Sequence, residues 1–345
     1  MLGVDIGACS IQLVELGRPA PGRWVLECCA MEPLEKGCVV DGHIEHFDVV
    51  VDTLCRALKQ SGSKARLAAL ALPPTAVITQ RLVLPAPLSE RALAQQVESE
   101  AGRYLPFALD EVCLDFGVMG SNAQSPDDVD VLLVASRRER VEERQALAQA
   151  AGLQASVVDI ETHAARLAAV HLLAAQPEEG RNALLALVEV GGQGCHLQLV
   201  QHGELVFERE LATGSVQLTQ LFALHQRVLQ KTGPVPSSGK SEEEGEDRSA
   251  HALWHSLASE VVHALQFFFS RSGQHSVQQV LVFGGLAALP GMAQTLAQQL
   301  QLPVAIANPF EGMQQGEQRR QHCRKQDAPA YMTACGLAMR RFAWC

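Results

Sequence analysis

Along the first fifty residues the apolar and polar positions read as strands joined by tight turns. Residues 2–6, 11–16 and 23–30 are β-like, with Gly7 and Gly17 near the turns. Between 47 and 60 the period lengthens: Val50, Leu54 and Leu58 recur at helical spacing, and Ser61-Gly62 close the helix. A buried strand over 65–72 follows and stops at Pro73-Pro74. A compact module comes next. Residues 77–84 predict a strand, and Ser89 caps a helix to about Tyr104 with Leu93, Val97 and Ala101 on one face. Two further strands, 112–118 and 129–135, flank a polar turn at 121–128, and an amphipathic helix over 138–151 ends at Gly152. Residues 75–152 thus read as a small α+β unit embedded in a first domain of 1–74 and 153–178.

A polar stretch at 177–181 predicts a hinge. After it, 183–190 and 195–200 repeat the glycine-turn hairpin of the opening, beginning a second domain over 179–310. Within that domain PVPSSGKSEEEGEDR is poor in apolar residues and rich in charge, which predicts disorder over about 233–249. A helix over about 251–270 and a strand over 279–283, followed by Gly284-Gly285, complete the domain. The last segment, 311–345, ends in a helix over 328–342. That helix is apolar on more than one face, so burial against the first domain is expected.

The 345 residues exceed one ordinary domain, and 47% of them are hydrophobic while 5% are aromatic, a balance that favours an α/β protein. A formal charge of −10 argues against a nucleic-acid partner, which would reward a basic face. The run Arg319, Arg320, Arg324, Lys325 reads as a solvated loop. The ten cysteines show no CxxC spacing, so free thiols are expected. His251 with His255, and His43 with His46, lack the companions a zinc site needs. No targeting segment and no apolar run of membrane-spanning length is present, so a soluble cytosolic protein is expected.

Two segments share one design: GVDIGACSIQLVEL (3–16) and LVEVGGQGCHLQLV (187–200). Each is a strand, an acidic residue, a glycine turn and a returning strand. Glycines let backbone amides approach a phosphate and form an anion-binding nest, and a carboxylate beside it can hold magnesium, usually through water. Two copies in corresponding halves, with Gly284-Gly285 leading into a helix, point to a nucleotide. The plain alternative is a pair of tight hairpins with no ligand.

The chain resembles the PilM family of the actin, Hsp70 and FtsA superfamily over almost its whole length. The resemblance is carried by VDIGACSIQLVEL, VESEAGRYLPFALDEVCLDFGVMG, LLVASRRERVEERQALAQAAGL, VVDIETHAARLA, QFFFSRSG, LVFGGLAALPGM, NPFEGM and APAYMTACGLAMRRF. It implies an actin-like, ribonuclease H-like two-domain fold with an FtsA-like inserted α+β subdomain at about 75–152. It further implies ATP with magnesium as cofactors. Asp5, Gly7 and Ser10 match a first phosphate loop, and Glu189, Gly191 and Gly192 a second, with Asp5 and Glu189 facing the metal. Gly284, Gly285 and Leu286 match the turn against adenosine, and Glu161 matches a glutamate that positions water or hydrated magnesium.

The implied partner is a PilN-like inner-membrane protein, bound through its short cytoplasmic N-terminal peptide on the side of the inserted subdomain. Residues near Tyr104, Pro106 and Phe107 are expected to form an apolar patch there, burial being the alternative. The implied setting is the pilus assembly machinery at the inner-membrane face. The chain departs from the family pattern at Gln12, where lysine is usual, and at Glu189, where aspartate is usual. The Glu-x-x-Lys element near the base survives at best as Lys231, with Val228 in the glutamate's place. Competing expectations are an ATP-dependent enzyme of the superfamily, such as a sugar kinase, and an FtsA-like polymerising protein. At most a weak ATPase is expected.

Overall fold

The computed structural model describes residues 1–20, 22–86, 89–122, 125–174, 184–192, 194–212, 240–273, 276–316 and 324–342, with backbone alone for 240–250. The expected hinge at 177–181, Lys231 with Val228, and 233–239 of the charged segment lie outside these residues.

The first half runs β1 (Leu2–Ile6), β2 (Ser10–Ala20), β3 (Arg23–Pro33), the short ladder β4 (Val39–Val40) and β5 (His43–Ile44), α1 (Phe47–Ser61) and β6 (Leu67–Leu72). It continues through β7 (Val77–Pro85), α2 (Glu90–Ala101), β8 (Val112–Ser121), β9 (Asp128–Arg137), α3 (Arg138–Ala150), β10 (Gln154–Ile160) and α4 (Glu161–Ala174). The second half has β11 (Leu185–Val190), β12 (Cys195–Gln201), β13 (Glu204–Leu211), α5 (Lys240–Ser272), β14 (Gln279–Phe283), α6 (Met292–Leu300) and β15 (Val304–Ile306). The edge strand β16 (Gln314–Gln315) and the helix α7 (Met332–Met339) close the chain.

Local chemistry sets these ends. Gly62 closes α1 in the left-handed region at φ 67°, donating its N–H to Leu58 O at 3.2 Å. Ser89 caps α2 by accepting from the Ala92 N–H at 3.3 Å. The charged segment departs from expectation. Its backbone is helical from Lys240, because a run of glutamates suits the positive end of a helix.

Two sheets repeat one order. The first is β3-β2-β1-β6-β10 with β16 added beside β3, and the second is β13-β12-β11-β14-β15. In each, three antiparallel strands are followed by two parallel ones. The central strands β6 and β14 are almost wholly apolar, as strands covered on both faces must be.

The repeat identifies the insertion. In the second half β14 passes to β15 through α6 alone, whereas in the first half β7, α2, β8 and β9 precede the crossover helix α3. The unit read as 75–152 therefore divides at its last helix. Leu147 and Ala148 of α3 join Leu2, Leu13, Leu54 and Leu70 in the core of the first sheet. The three strands β7-β9-β8 and α2 keep a core of their own, with Leu82, Val97, Ala101, Val131 and Leu133.

A third cluster forms the seam between the halves. It combines Val14 and Leu16 with Leu185, Leu187, Leu281 and Phe283, and inserts Ala165, Ala168 and Ala169 of α4 and Met332, Cys335 and Ala338 of α7. All eight residues of α7 are buried, as its sequence predicts. Gly3 of β1 packs so closely on this helix that a Cβ there would lie 2.0 Å from Ala334 O. Seven described cysteines are free thiols. Cys29 is disulfide-bonded, a departure from the free-thiol expectation.

Candidate functional site

The two glycine hairpins are matched residue for residue. Ile6 pairs Ile11 and Asp5 pairs Gln12 in the first, while Val190 pairs Cys195 and Glu189 pairs His196 in the second. Both close by one bond, Gly7 N–H to Ser10 O and Gly191 N–H to Gly194 O, each 3.0 Å. Their tips face one another: a Cβ on Gly192 would stand 3.0 Å from Cys9 Sγ. Asp5 and Glu189 are thus equivalent positions on opposite walls of one cleft, and Gln12 and His196 are equivalent partners.

That cleft has a volume of about 600 Å³, within the range of small-molecule sites. Asp5, Gly7, Ser10, Gly191, Gly192, Gly284, Gly285, Glu161 and Glu189 all line it, so the structure brings together every candidate residue but one. Leu286 is buried in the second half's core among Val190, Leu253 and Trp254. Its contribution to the turn is backbone, an N–H donated to Val190 O at 3.2 Å. The turn itself requires glycine at 284, where φ is 102° and a Cβ would lie 2.5 Å from Val190 O.

Glu161 reaches the floor as the first residue of α4. Burial raises the Asp5 carboxyl to about 7, offset by Arg144 and by the Ile6 N–H. Burial, then the neighbouring Asp5, raises Glu189 to about 7 as well. Glu161 is raised well above the ordinary range by burial and by both of these carboxylates. A buried arginine counterbalances the cluster. Arg144, 1% exposed, donates to Gly42 O at 2.8 Å, Ala71 O at 3.2 Å and Glu143 at 2.8 Å. Sequence periodicity gives no sign of it, since an arginine in an amphipathic helix reads as solvent-facing.

Such a floor fits a cation. Hard carboxylate oxygens crowded in a low dielectric either take up protons or gather positive charge. Among the described residues, though, no three His, Cys, Asp or Glu side chains group as a direct metal cage. Asp5 and Glu189 therefore suit a magnesium ion that keeps most of its water.

The cleft does not end at the hairpins. It continues toward the inserted sheet, where Leu105, Pro106, Phe107 and Ile78 give it an apolar wall; Arg137 and Arg140 also line it. Pro106 and Phe107 are where the sequence put the partner's patch; Tyr104 points to solvent instead, 46% exposed and outside the lining.

A family model described as type IV pilus assembly protein PilM matches residues 3–342. The chain belongs to the PilM family. Among solved structures it is similar to a chain of the PilM–PilN type IV pilus biogenesis complex. The TM-score is 0.79 at 23% identity, covering 98% of this chain and 97% of that one. It is also similar to the ethanolamine utilization protein EutJ from Carboxydothermus hydrogenoformans. There the TM-score is 0.54 at 16% identity, covering 98% and 88%. At these identities the likeness is one of fold, and the PilM-family fold seen here is actin-like. Among the described residues no helix is long and apolar enough to cross a membrane.

Proposed function

We propose that this PilM-family protein is an assembly component of the type IV pilus that holds a nucleotide with magnesium between its hairpins. Against its inserted sheet it receives the N-terminal peptide of a PilN-like inner-membrane protein, which would recruit it from the cytoplasm to that membrane. The observation that carries this reading is the single cleft lined at one end by Asp5, Gly7, Gly191 and Glu189 and at the other by Leu105, Pro106 and Phe107. The first end offers facing glycine turns over a carboxylate floor, the chemistry of a phosphate–metal site. The second offers apolar pockets beside a sheet, suited to a short extended peptide. The similarity to a chain of a PilM–PilN complex supports a PilN-like partner.

Turnover is expected to be slight. Burial and the neighbouring Asp5 and Glu189 raise the Glu161 carboxyl well above the ordinary carboxylate range, which disfavours its charged form. Gln12 brings no charge to the phosphates, and its Nε2 is committed to Ser10 Oγ at 2.8 Å. Magnesium, when bound, would neutralise phosphate charge, and Asp5 and Glu189 would orient its water shell.

Calorimetry with Mg-ATP and with a PilN-type N-terminal peptide, separately and together, tests the proposal. Saturable binding of both is expected. Binding of neither would remove the cleft from the account.

A further inference from the structure

The hairpins bring two carboxylates, Asp5 and Glu189, to the cleft floor, α4 adds Glu161, and the hairpins carry no lysine or arginine into it. Position 12, facing Asp5 across the strand pair, is a buried amide whose Oε1 has no hydrogen-bond partner. Beyond what a magnesium ion would supply, a polyphosphate seated there gains from a protein cation, because burying it against carboxylates is costly. The arginines lining the cleft are Arg137 and Arg140. Arg137 is engaged: it pairs with Glu139 at 3.0 Å and its guanidinium lies over the Phe107 ring at 5.3 Å. Arg144 is engaged too, its fork spread over two backbone carbonyls and Glu143.

Arg140 is different. The carboxylate of Glu143 stands 4.0 Å away and is held by Arg144 at 2.8 Å. The Arg140 guanidinium lies instead against the imidazole of His43, its Nη2 touching both Nδ1 and, at 2.8 Å, Nε2. That places nitrogen against nitrogen, and a guanidinium has five donors of which one imidazole can accept one. Its side chain is only 18% exposed, sheltered enough for a charge contact to be strong. It sits one turn before Arg144 on the same face of α3, so the anchoring of Arg144 to Gly42 and Ala71 also fixes where Arg140 starts.

We propose that Arg140, with His43 beside it, is the cationic contact for the terminal phosphate of the bound nucleotide, in place of a lysine at position 12. The assignment rests on the nucleotide reading above and names the residues that would distinguish a triphosphate from a diphosphate. It also makes α3, the helix that follows directly from the inserted sheet, a wall of the phosphate site.

The test uses the full chain and fluorescent analogues of ATP and ADP with magnesium. Arg140→Gln should weaken ATP about tenfold, the size of a lost charge-assisted contact, and ADP by less than about threefold. Arg140→Lys should retain most of the ATP affinity, and Gln12→Lys in the Arg140→Gln background should restore it. Circular dichroism melts of each variant check that the fold is intact. Equal weakening of ATP and ADP, or an Arg140→Gln affinity for ATP within about twofold of the parent, would overturn the assignment while leaving the nucleotide reading in place. If the parent chain binds neither nucleotide, both fall.

Discussion

Gly336 of α7 and Ala164 of α4 meet backbone to backbone: a Cβ on Gly336 would lie 1.7 Å from the Ala164 carbonyl oxygen. The contact sits at the junction of the halves, because α4 ends the first and α7 closes the chain after the second. An alanine at 336 would ordinarily favour the helix by roughly 1 kcal/mol. Here we expect Gly336→Ala to destabilise the protein by about 3 kcal/mol, since neither backbone can withdraw without parting the seam. The urea midpoint decides the sign, and an unchanged or raised midpoint would show that the helices can separate freely.

Arg144 should be as sensitive for the opposite reason. Arg144→Met keeps much of the volume but leaves Gly42 O and Ala71 O without their donor and the carboxylate floor without its counter-charge. A loss of about 3 kcal/mol is expected, as for other broken buried ion pairs. Chemical denaturation measures it, and a cost near zero would mean that water replaces the guanidinium.

The floor carboxylates give stability a specific pH signature. Asp5 holds its proton to about 7 in the folded chain and to about 4 when unfolded. Between those values the folded state binds the proton that the unfolded state has released, so this group's contribution to stability falls as pH rises, and the penalty is complete above about 7. Asp5→Asn abolishes this contribution. The melting temperature of the variant relative to the parent should climb from pH 4 to pH 7.5, and a flat difference would show that Asp5 is ionised in the fold throughout.

On the peptide side, Phe107→Ala should weaken a PilN-type peptide by about tenfold, since an aromatic wall of a groove is a typical anchor point. Arg103, 73% exposed and paired with Glu100 at 2.8 Å, stands outside the lining, so Arg103→Glu should change affinity little. Fluorescence anisotropy with a labelled peptide separates them; equal effects would place the peptide elsewhere.

Much of this was legible before any coordinates. The hairpins at Asp5 and Glu189 announce themselves through glycine turns after apolar strands, and α7 through the absence of a polar face. Other features were not. Strand β13 escapes because Glu204, Glu208, Arg209 and Glu210 mask its alternation. The turn before it, His202-Gly203, takes positive φ at both residues with only one glycine to signal it. The allegiance of α3 is invisible too: its period says helix, but which core it joins depends on the order of strands around it. The early start of α5 was obscured by its acidic composition, which resembles a solvated linker and equally suits a helix N-terminus.

The matched hairpins carry one last consequence. Because the protein repeats one hairpin design in both halves, each hairpin supplies one carboxylate and one glycine turn, and neither hairpin makes the site by itself. On the proposed nucleotide reading, occupancy of the cleft would therefore be a coincidence reading. A ligand held by both turns would register that the halves are correctly aligned, and a partner that skewed them, however far from Asp5 or Glu189, would loosen its grip.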